Sequence, residues 1–203
     1  DVAAYNALWG PSTAGIINTF LFQKPDGTEV TLTSTKASFT LNTVTADTVY
    51  ERSGRKIAYF VFENFLGTAE DELNATFASF KQKGATDLII DLRYNGGGYV
   101  DVANQLASLI VGNSYTNKVC YKIRANDIIG ADWNQDYKFI STTSPLDLNK
   151  AVFITTDGSA SASELVINSL KPYIEVSVVG DDTYGKPAGQ SIVGFPFPTN
   201  SVP

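Results

Sequence analysis

The chain contains no histidine and only one cysteine, Cys120. Without histidine, these residues cannot supply a Ser-His-Asp or Cys-His catalytic arrangement, and the usual zinc sites are excluded as well. A single cysteine excludes an internal disulfide bond and a cysteine-rich metal site. Because Cys120 lies in a short apolar run, we expect it to be a buried strand residue. Any nucleophile in this chain therefore requires another base, unless a histidine lies outside these residues, and lysine is the obvious candidate.

The chain also lacks clusters of positive charge and long apolar runs. Its formal net charge is −6 and it has no Lys/Arg run, so nucleic acid and anionic membrane are not expected partners. No apolar stretch approaches the roughly 18 residues needed to span a bilayer. Hydrophobic residues make up 43% of the 203 residues, which is the composition of a globular chain of one domain or somewhat more.

From residue 57 onward, short apolar runs alternate with helical patterns. Strands are predicted at 57–62, 87–92, 151–154 and 176–179, and helices after Thr68, after residue 98 and after Ser161. Thr68 with Asp71 three residues on predicts a variant of the capping box, and Gly84 predicts the end of the first helix. The predicted apolar positions of the second helix are Val102, Leu106, Leu109 and Ile110. This alternation predicts an α/β fold with a largely parallel sheet, in which sites form outside the carboxyl ends of the strands. The loops expected there are 93–98, 156–161 and 180–190. The polar stretch 127–143 is predicted to be a long loop or an inserted hairpin.

The first 45 residues have a different pattern. Two β-rich segments flank Lys24-Pro25-Asp26-Gly27, which predicts a hairpin with a Pro-Asp-Gly turn. Residues 50–55 are interpreted as a polar bridge. We therefore place a domain boundary near residue 45.

Serines and small residues occupy the junction between the strand at 151–154 and the helix that follows it. At such a junction, the hydroxyl of Ser161 lies over a helix N-terminus, whose unpaired N–H groups can stabilise a developing negative charge. The alternative is structural, because Ser161-Ala162-Ser163-Glu164 is also an S-x-x-E capping box that starts a helix. This segment alone does not decide between a nucleophile and a cap.

Two further loops carry candidate chemistry. Asn95-Gly96-Gly97-Gly98 can bring backbone N–H groups close to a substrate, or it is simply a turn that needs positive φ. Asp91 and Arg93, just before it, either form an ion pair that fixes this loop or are a solvated pair. Gly180 to Lys186 matches the phosphate-binding pattern G-x-x-x-x-G-K, but Pro187 replaces the hydroxyl residue that would meet magnesium, so nucleotide binding is not expected. Lys186 is either a general base with Gln190 orienting it, or a solvated surface charge.

Together, three motifs resemble the C-terminal processing peptidases, the tail-specific serine proteases of peptidase family S41. They are Asp91-Leu92-Arg93-Tyr94-Asn95-Gly96-Gly97-Gly98, then Gly158-Ser159-Ala160-Ser161-Ala162-Ser163-Glu164, then Gly185-Lys186 with Gln190. The resemblance implies that Ser161 is the nucleophile, Lys186 its general base and Gln190 the residue that positions the lysine. It also implies an oxyanion hole made of the Ala162 N–H and of Gly97 or Gly98.

The resemblance covers roughly residues 50–193. It implies a crotonase/ClpP-like layered core over 46–203 that continues beyond Pro203, preceded in residues 1–45 by the C-terminal part of a PDZ-like domain. It implies no cofactor and no metal, polypeptide substrates that are unfolded or exposed at their C-terminus, and a setting in the cell envelope. Pro187 departs from the small residue or glycine that many members have there, which puts the orientation of Lys186 in question.

Two other functions remain open on the sequence. The same fold can act as a non-catalytic module that binds a peptide or an apolar ligand, although such a module does not need Ser161, Lys186 and Gln190 together. An acyl-CoA enzyme on a crotonase-like core also builds an oxyanion hole from backbone N–H groups. The sequence leaves the oligomeric state open.

Overall fold

A computed structural model describes residues 8–128 and 130–189 of the chain. The chain divides into two compact units, residues 1–41 and residues 42–203. Among the described residues, no helix is long and apolar enough to cross a membrane.

The first unit contains the predicted hairpin. Strand β1 (Ile17–Gln23) pairs antiparallel with β2 (Glu29–Thr35). In the turn, Gly27 has a φ of +86° and the Thr28 N–H donates to Asp26 Oδ1 at 2.9 Å, as expected for a turn that needs glycine and an acceptor side chain. The identity of this unit as part of a PDZ-like domain stays a prediction.

The second unit carries the candidate site. Its elements in chain order are β3 (Val44–Arg52), β4 (Arg55–Phe62), α1 (Ala69–Lys83), β5 (Asp87–Asp91), α2 (Val100–Val111), β6 (Val119–Ile123), β7 (Gln135–Lys138), β8 (Lys150–Thr155), α3 (Ala162–Leu170) and β9 (Glu175–Gly180). Short 3₁₀ turns lie at Asn113–Tyr115 and Ala131–Trp133.

Five of these strands form one sheet in the order β3-β4-β5-β8-β9. Only β3 is antiparallel to its neighbour, and β4, β5, β8 and β9 are mutually parallel. The prediction of an α/β fold with a largely parallel sheet is therefore confirmed. The finer expectation of crotonase/ClpP-like layering stays a prediction.

The sheet buries one of its faces more completely than the other. Along β4, the residues Ala58, Phe60 and Phe62 are fully buried, and the residues between them are only half-buried. The same alternation runs along β8. Helix α2 contacts both α1 and α3, and its predicted apolar positions are all buried. Burial of aromatic and aliphatic side chains on this face is the main source of stability for the core.

Two local predictions are wrong. Residues 50–55 are not a bridge, because β3 and β4 form a hairpin across Ser53 and Gly54, which both have positive φ. The strand was missed because the exposed edge strand β3 is polar and lacks an apolar run. The capping box expected at Thr68 is also absent, since Thr68 makes no side-chain cap hydrogen bond within the described part of the chain. Helix α1 nevertheless ends at Gly84 in the left-handed conformation, as expected.

The stretch between α2 and β8 forms an inserted hairpin, which was one of the two predicted alternatives. Strands β6 and β7 pair antiparallel. Cys120 lies in β6 and is 6% exposed, which confirms it as a buried strand residue. Burial raises the pKa of its thiol to about 11, although a hydrogen bond to Ser169 acts in the opposite direction. Cys120 is therefore a protonated, inert packing residue at neutral pH.

Candidate active site

Three loops meet at the carboxyl ends of β5, β8 and β9, where the parallel sheet predicted a site. The Thr156 hydroxyl donates to the Arg93 carbonyl oxygen, which joins the loops after β8 and β5. The Tyr184 N–H donates to the Ser159 carbonyl oxygen at 3.0 Å, which joins the loops after β9 and β8. The three motifs found in the sequence are thus brought together in one place.

Ser161 lies at the N-terminus of α3 in an unusual backbone conformation. Its φ and ψ are +58° and −111°, a region that residues other than glycine rarely adopt and that is maintained only when surrounding contacts enforce it. Its N–H donates to Glu164 Oε2 at 2.8 Å. Ser161 and Glu164 are arranged as in a capping box, with the Ser161 side chain facing the Glu164 backbone. The Ser161 side chain nevertheless makes no cap hydrogen bond of ordinary geometry within the described residues. Strain of this kind is typical of nucleophiles held on a sharp strand-to-helix turn.

The three serines of this motif have different surroundings. Ser159 and Ser163 are both fully buried, at 0% exposure. The Ser159 hydroxyl donates to the Leu92 carbonyl oxygen at 2.7 Å, and the Ser163 hydroxyl donates to the Asn95 carbonyl oxygen at 2.9 Å. Ser161 is half-buried. Ser159 and Ser163 therefore connect this loop to the loop after β5, whose residues 95–98 we call the glycine loop. Ser161 is the serine that a substrate can reach.

Asn95 holds the glycine loop in place. It is fully buried, and its side-chain amide donates to the Phe62 carbonyl oxygen at 2.9 Å. Its Oδ1 accepts from the Gly97 N–H at 2.9 Å, and its own carbonyl oxygen accepts from the Ala160 N–H at 3.1 Å. The sequence pattern pointed to the glycines of this loop but not to Asn95, since an asparagine in a turn is usually explained by local backbone preference.

The glycine loop packs directly against the Ser161 backbone. A Cβ atom added to Gly97 would lie 2.8 Å from Ser161 Cβ and 2.9 Å from the Ala162 backbone nitrogen. One added to Gly98 would overlap the Phe65 carbonyl oxygen, and both glycines have positive φ. The glycines are therefore required for close approach as well as for backbone conformation.

The candidate oxyanion donors differ in how their N–H groups are used. The Gly97 N–H already donates to Asn95 Oδ1. By contrast, the N–H groups of Gly98 and Ala162 donate to no acceptor within the described residues. Of the two glycines that the sequence left open, Gly98 is therefore the better candidate donor.

Glu164 joins the serine motif to the lysine loop. This buried carboxylate is 8% exposed, and it accepts hydrogen bonds through both oxygens. Oε2 accepts from the backbone N–H groups of Ser161 at 2.8 Å and Lys186 at 3.0 Å, and Oε1 accepts from the Thr183 hydroxyl at 2.8 Å and the Gly185 N–H at 2.6 Å. The backbones of Ser161 and Lys186 thus share one carboxylate oxygen and lie side by side.

The hydrogen bonds of Glu164 also determine its ionisation. Burial raises the pKa of the carboxyl group, but the bonds from Thr183 and from the backbone N–H groups of Ser161, Gly185 and Lys186 outweigh it and give a net lowering. Glu164 therefore stays ionised at neutral pH. The sequence predicted Glu164 only as part of a helix cap. Its position three residues after a candidate nucleophile was the one feature of the sequence that could have indicated its role in joining the two loops.

We expect Glu164→Gln to destabilise the chain by about 2 to 4 kcal/mol at pH 7, because one acceptor oxygen becomes an NH₂ group facing N–H donors. Since the folded-state pKa of Glu164 is lowered, its contribution is complete above the unfolded-state pKa and is lost as the pH falls through the folded-state pKa. Urea unfolding should therefore show the difference between wild type and variant shrinking below about pH 4. Asp157→Asn, which changes an exposed carboxylate of the same region, should show no such difference. A constant Glu164→Gln deficit across this pH range would contradict the assignment.

The predicted ion pair before the glycine loop is present. Asp91 is 1% exposed, and it accepts from Arg93 Nη2 at 2.7 Å and from the Tyr59 hydroxyl at 2.9 Å. Burial raises the pKa of Asp91, but the hydrogen bonds from Arg93 and Tyr59 outweigh it and lower the pKa overall. The ionised pair fixes the backbone where β5 ends and the glycine loop begins.

The other predictions for the lysine loop and for metal binding have different outcomes. Lys186 is half-buried in the loop after β9, and no helix follows β9 within the described residues, in contrast to a phosphate-binding loop. Gln190 lies outside the described residues. Among the described residues, no group of three or more His, Cys, Asp or Glu side chains is placed to hold a metal ion.

The sequence of the chain is similar to those of known proteases. The carboxy-terminal processing protease CtpA of Bacillus subtilis strain 168 is 29% identical to the chain over 175 residues, which are 82% of this chain and 35% of that protein. The chain spans about a third of the length of the curated relatives it matches.

Solved structures share the fold. A protein described as an S41 protease from Bacteroides fragilis NCTC 9343 superposes with a TM-score of 0.73 at 24% identity, covering 90% of this chain and 50% of that one. The photosystem II D1 C-terminal processing protease superposes with a TM-score of 0.57 at 20% identity, covering 85% of this chain and 45% of that one. The family model for peptidase family S41 matches residues 56–201, which include all three motifs of the site. The chain therefore belongs to peptidase family S41.

Proposed function

We propose that the chain carries the catalytic centre of a serine endopeptidase with a Ser-Lys dyad. The observation that supports this best is the conformation of Ser161, a strained serine at a helix N-terminus with the glycine loop packed against it. Strained residues concentrate at active sites. The absence of histidine from the chain leaves Lys186 as the base that the family resemblance also implies.

In the proposed reaction, Ser161 Oγ attacks the carbonyl carbon of the scissile peptide bond, and the amine of Lys186 accepts the hydroxyl proton. The tetrahedral intermediate collapses, and Lys186 returns the proton to the leaving amine. Water then attacks the acyl-enzyme ester and gives a proton to Lys186. When the ester bond to Ser161 Oγ breaks, Lys186 returns this proton to Oγ, and the new carboxyl terminus is released. Gln190 is proposed to orient the Lys186 amine between these steps.

The oxyanion of the tetrahedral intermediate is proposed to accept hydrogen bonds from the N–H groups of Ala162 and Gly98. Both lie in segments that surrounding hydrogen bonds hold in place, so the donors need little reorganisation during the reaction. The helix dipole of α3 adds positive potential at the same point. Gly97 contributes by permitting the close approach of the two segments.

The substrates are proposed to be polypeptides that are unfolded or exposed at their C-terminus, as the family resemblance implies. A cell-envelope setting is also proposed, and it rests on the family resemblance alone.

Covalent labelling tests the proposed nucleophile directly. A fluorophosphonate probe should modify wild type at Ser161, located by peptide mapping, and should modify neither Ser159 nor Ser163. Ser161→Ala should abolish labelling and the cleavage of unfolded casein, while Ser169→Ala, at the other end of α3, should retain both. Labelling at a different serine would overturn the assignment. Absence of labelling and cleavage in folded wild type would favour a binding module instead.

A further inference from the structure

A polar cleft lies between α1, α2 and the segment 140–143. Its volume is about 290 Å³, near the lower end of the range for ligand sites. Glu70 of α1 and Asp101 of α2 contribute carboxylates to its lining, and Ser141, Thr142 and Thr143 contribute hydroxyls. No residue of the proposed catalytic machinery lines this cleft.

The cleft carries uncompensated negative charge. Neither Glu70 nor Asp101 forms an ion pair with a described residue, and no lysine or arginine lines the cleft. Two carboxylates near one concave surface attract cations and repel anions. The first requirement for a ligand is therefore a positive charge.

Buried acceptors supply a second, independent requirement. Gln105 is 8% exposed and lines the cleft. Its Nε2 donates to the Glu70 carbonyl oxygen at 2.9 Å, but its buried Oε1 accepts no hydrogen bond within the described residues. The buried hydroxyl oxygen of Thr142 has no partner there either. A buried acceptor without a donor is unfavourable, so a ligand with N–H donors suits this wall better than one without them.

The wall of the cleft is held in place without a ligand. The Ile140 N–H donates to Ser108 Oγ at 3.0 Å. Asn113 binds the Thr142 backbone twice, donating from Nδ2 to its carbonyl oxygen at 3.0 Å and accepting from its N–H at 2.9 Å. The cleft is therefore preformed.

The cleft is close to the proposed catalytic centre. Asp101 lies in the first turn of α2, three residues after Gly98 of the proposed oxyanion hole. The Cα atoms of Gly98 and Asp101 are therefore at most roughly 10 Å apart. Three residues of an extended substrate polypeptide cover about the same distance. A side chain a few residues from the scissile bond can therefore reach the cleft.

We propose that this cleft binds the ammonium or guanidinium group of a lysine or arginine in the polypeptide substrate, a few residues from the scissile bond. This proposal rests on the proposed endopeptidase function. A calcium ion fits less well, because it takes six to eight oxygen ligands and no group of three acidic side chains is present among the described residues.

Matched peptides test the proposal. In each pair, one peptide carries lysine and the other carries its neutral analogue norleucine at the same position. The position differs from pair to pair and lies on either side of a fixed scissile bond. The ratio of the kcat/KM values of the two peptides is measured. We expect lysine to be favoured about three- to tenfold at one position, the range for two partly exposed ion pairs. The ratio should fall to about one in the double variant Glu70→Gln, Asp101→Asn. It should persist in Asp71→Asn, which removes the same charge from α1 outside the cleft.

A binding measurement tests the cleft separately from the proposed endopeptidase function. Fluorescence anisotropy of the same labelled peptides on Ser161→Ala should show the same preference for lysine and the same loss in the double variant. If wild type cleaves no peptide, the endopeptidase assignment fails and the binding ratio alone judges the cleft. Equal affinity for both peptides at every position, or a preference that survives in the double variant, overturns the proposal. Calcium binding that abolishes the preference also overturns it, in favour of a metal site.

Discussion

Replacing Lys186 with alanine is expected to lower kcat for cleavage of an unfolded polypeptide by at least about 10³-fold. Without a base, the Ser161 hydroxyl remains protonated and is a poor nucleophile at neutral pH. The fold should be retained, because Glu164 accepts its hydrogen bond from the Lys186 backbone N–H, which alanine keeps. Steady-state kinetics with a quenched fluorescent peptide, together with thermal unfolding, measures both effects.

Two other substitutions make this result specific. Lys186→Arg should be as inactive as Lys186→Ala, since a guanidinium cannot give up its proton to act as a base. Lys171→Ala removes a lysine at the C-terminal end of α3, where its Nζ donates to Asn168 Oδ1 at 3.1 Å, and should leave kcat unchanged. Substantial activity in Lys186→Ala or Lys186→Arg would rule out Lys186 as the general base.

Gly97→Ala is expected to lower kcat by about 10²-fold or more and to destabilise the fold by about 1 to 3 kcal/mol. The added Cβ would lie 2.8 Å from the Ala160 carbonyl oxygen and 2.9 Å from the Ala162 nitrogen, and Gly97 has a φ of +103°. The glycine loop must therefore move away from Ser161, and the proposed oxyanion donors separate. Kinetics and urea unfolding of the same preparation measure the two effects.

Gly96→Ala is the matched control for this prediction. A Cβ on Gly96 meets no atom within 4 Å, and no positive φ is found there, so its activity and stability should stay close to wild type. The change at Gly97 should mainly lower kcat rather than raise KM, because an oxyanion contact forms in the transition state. A Gly97→Ala enzyme with normal kcat would show that the close approach of the two loops is not needed for catalysis.

Local patterns predicted much of the fold. The apolar runs of β4, β5 and β8, and the glycine that ends α1, follow from side-chain periodicity and backbone preference within a few residues. The polar edge strand β3 was missed because its hydrogen bonds to β4 depend on a partner strand and not on its own apolar content. The Thr68 capping box failed because a favourable pattern does not ensure that the side chain makes the bond.

The motifs in the sequence were sufficient to identify the family and to nominate Ser161, Lys186, Ala162 and the glycine loop, because residue types and their spacing along the chain carry that information. They did not show what Ser159 and Ser163 do instead, and they did not distinguish between Gly97 and Gly98. Those distinctions depend on which hydroxyls and N–H groups are already engaged by residues distant in the chain. The importance of Glu164 and Asn95 likewise became visible only after folding, since each binds backbone groups from loops that the sheet brings together.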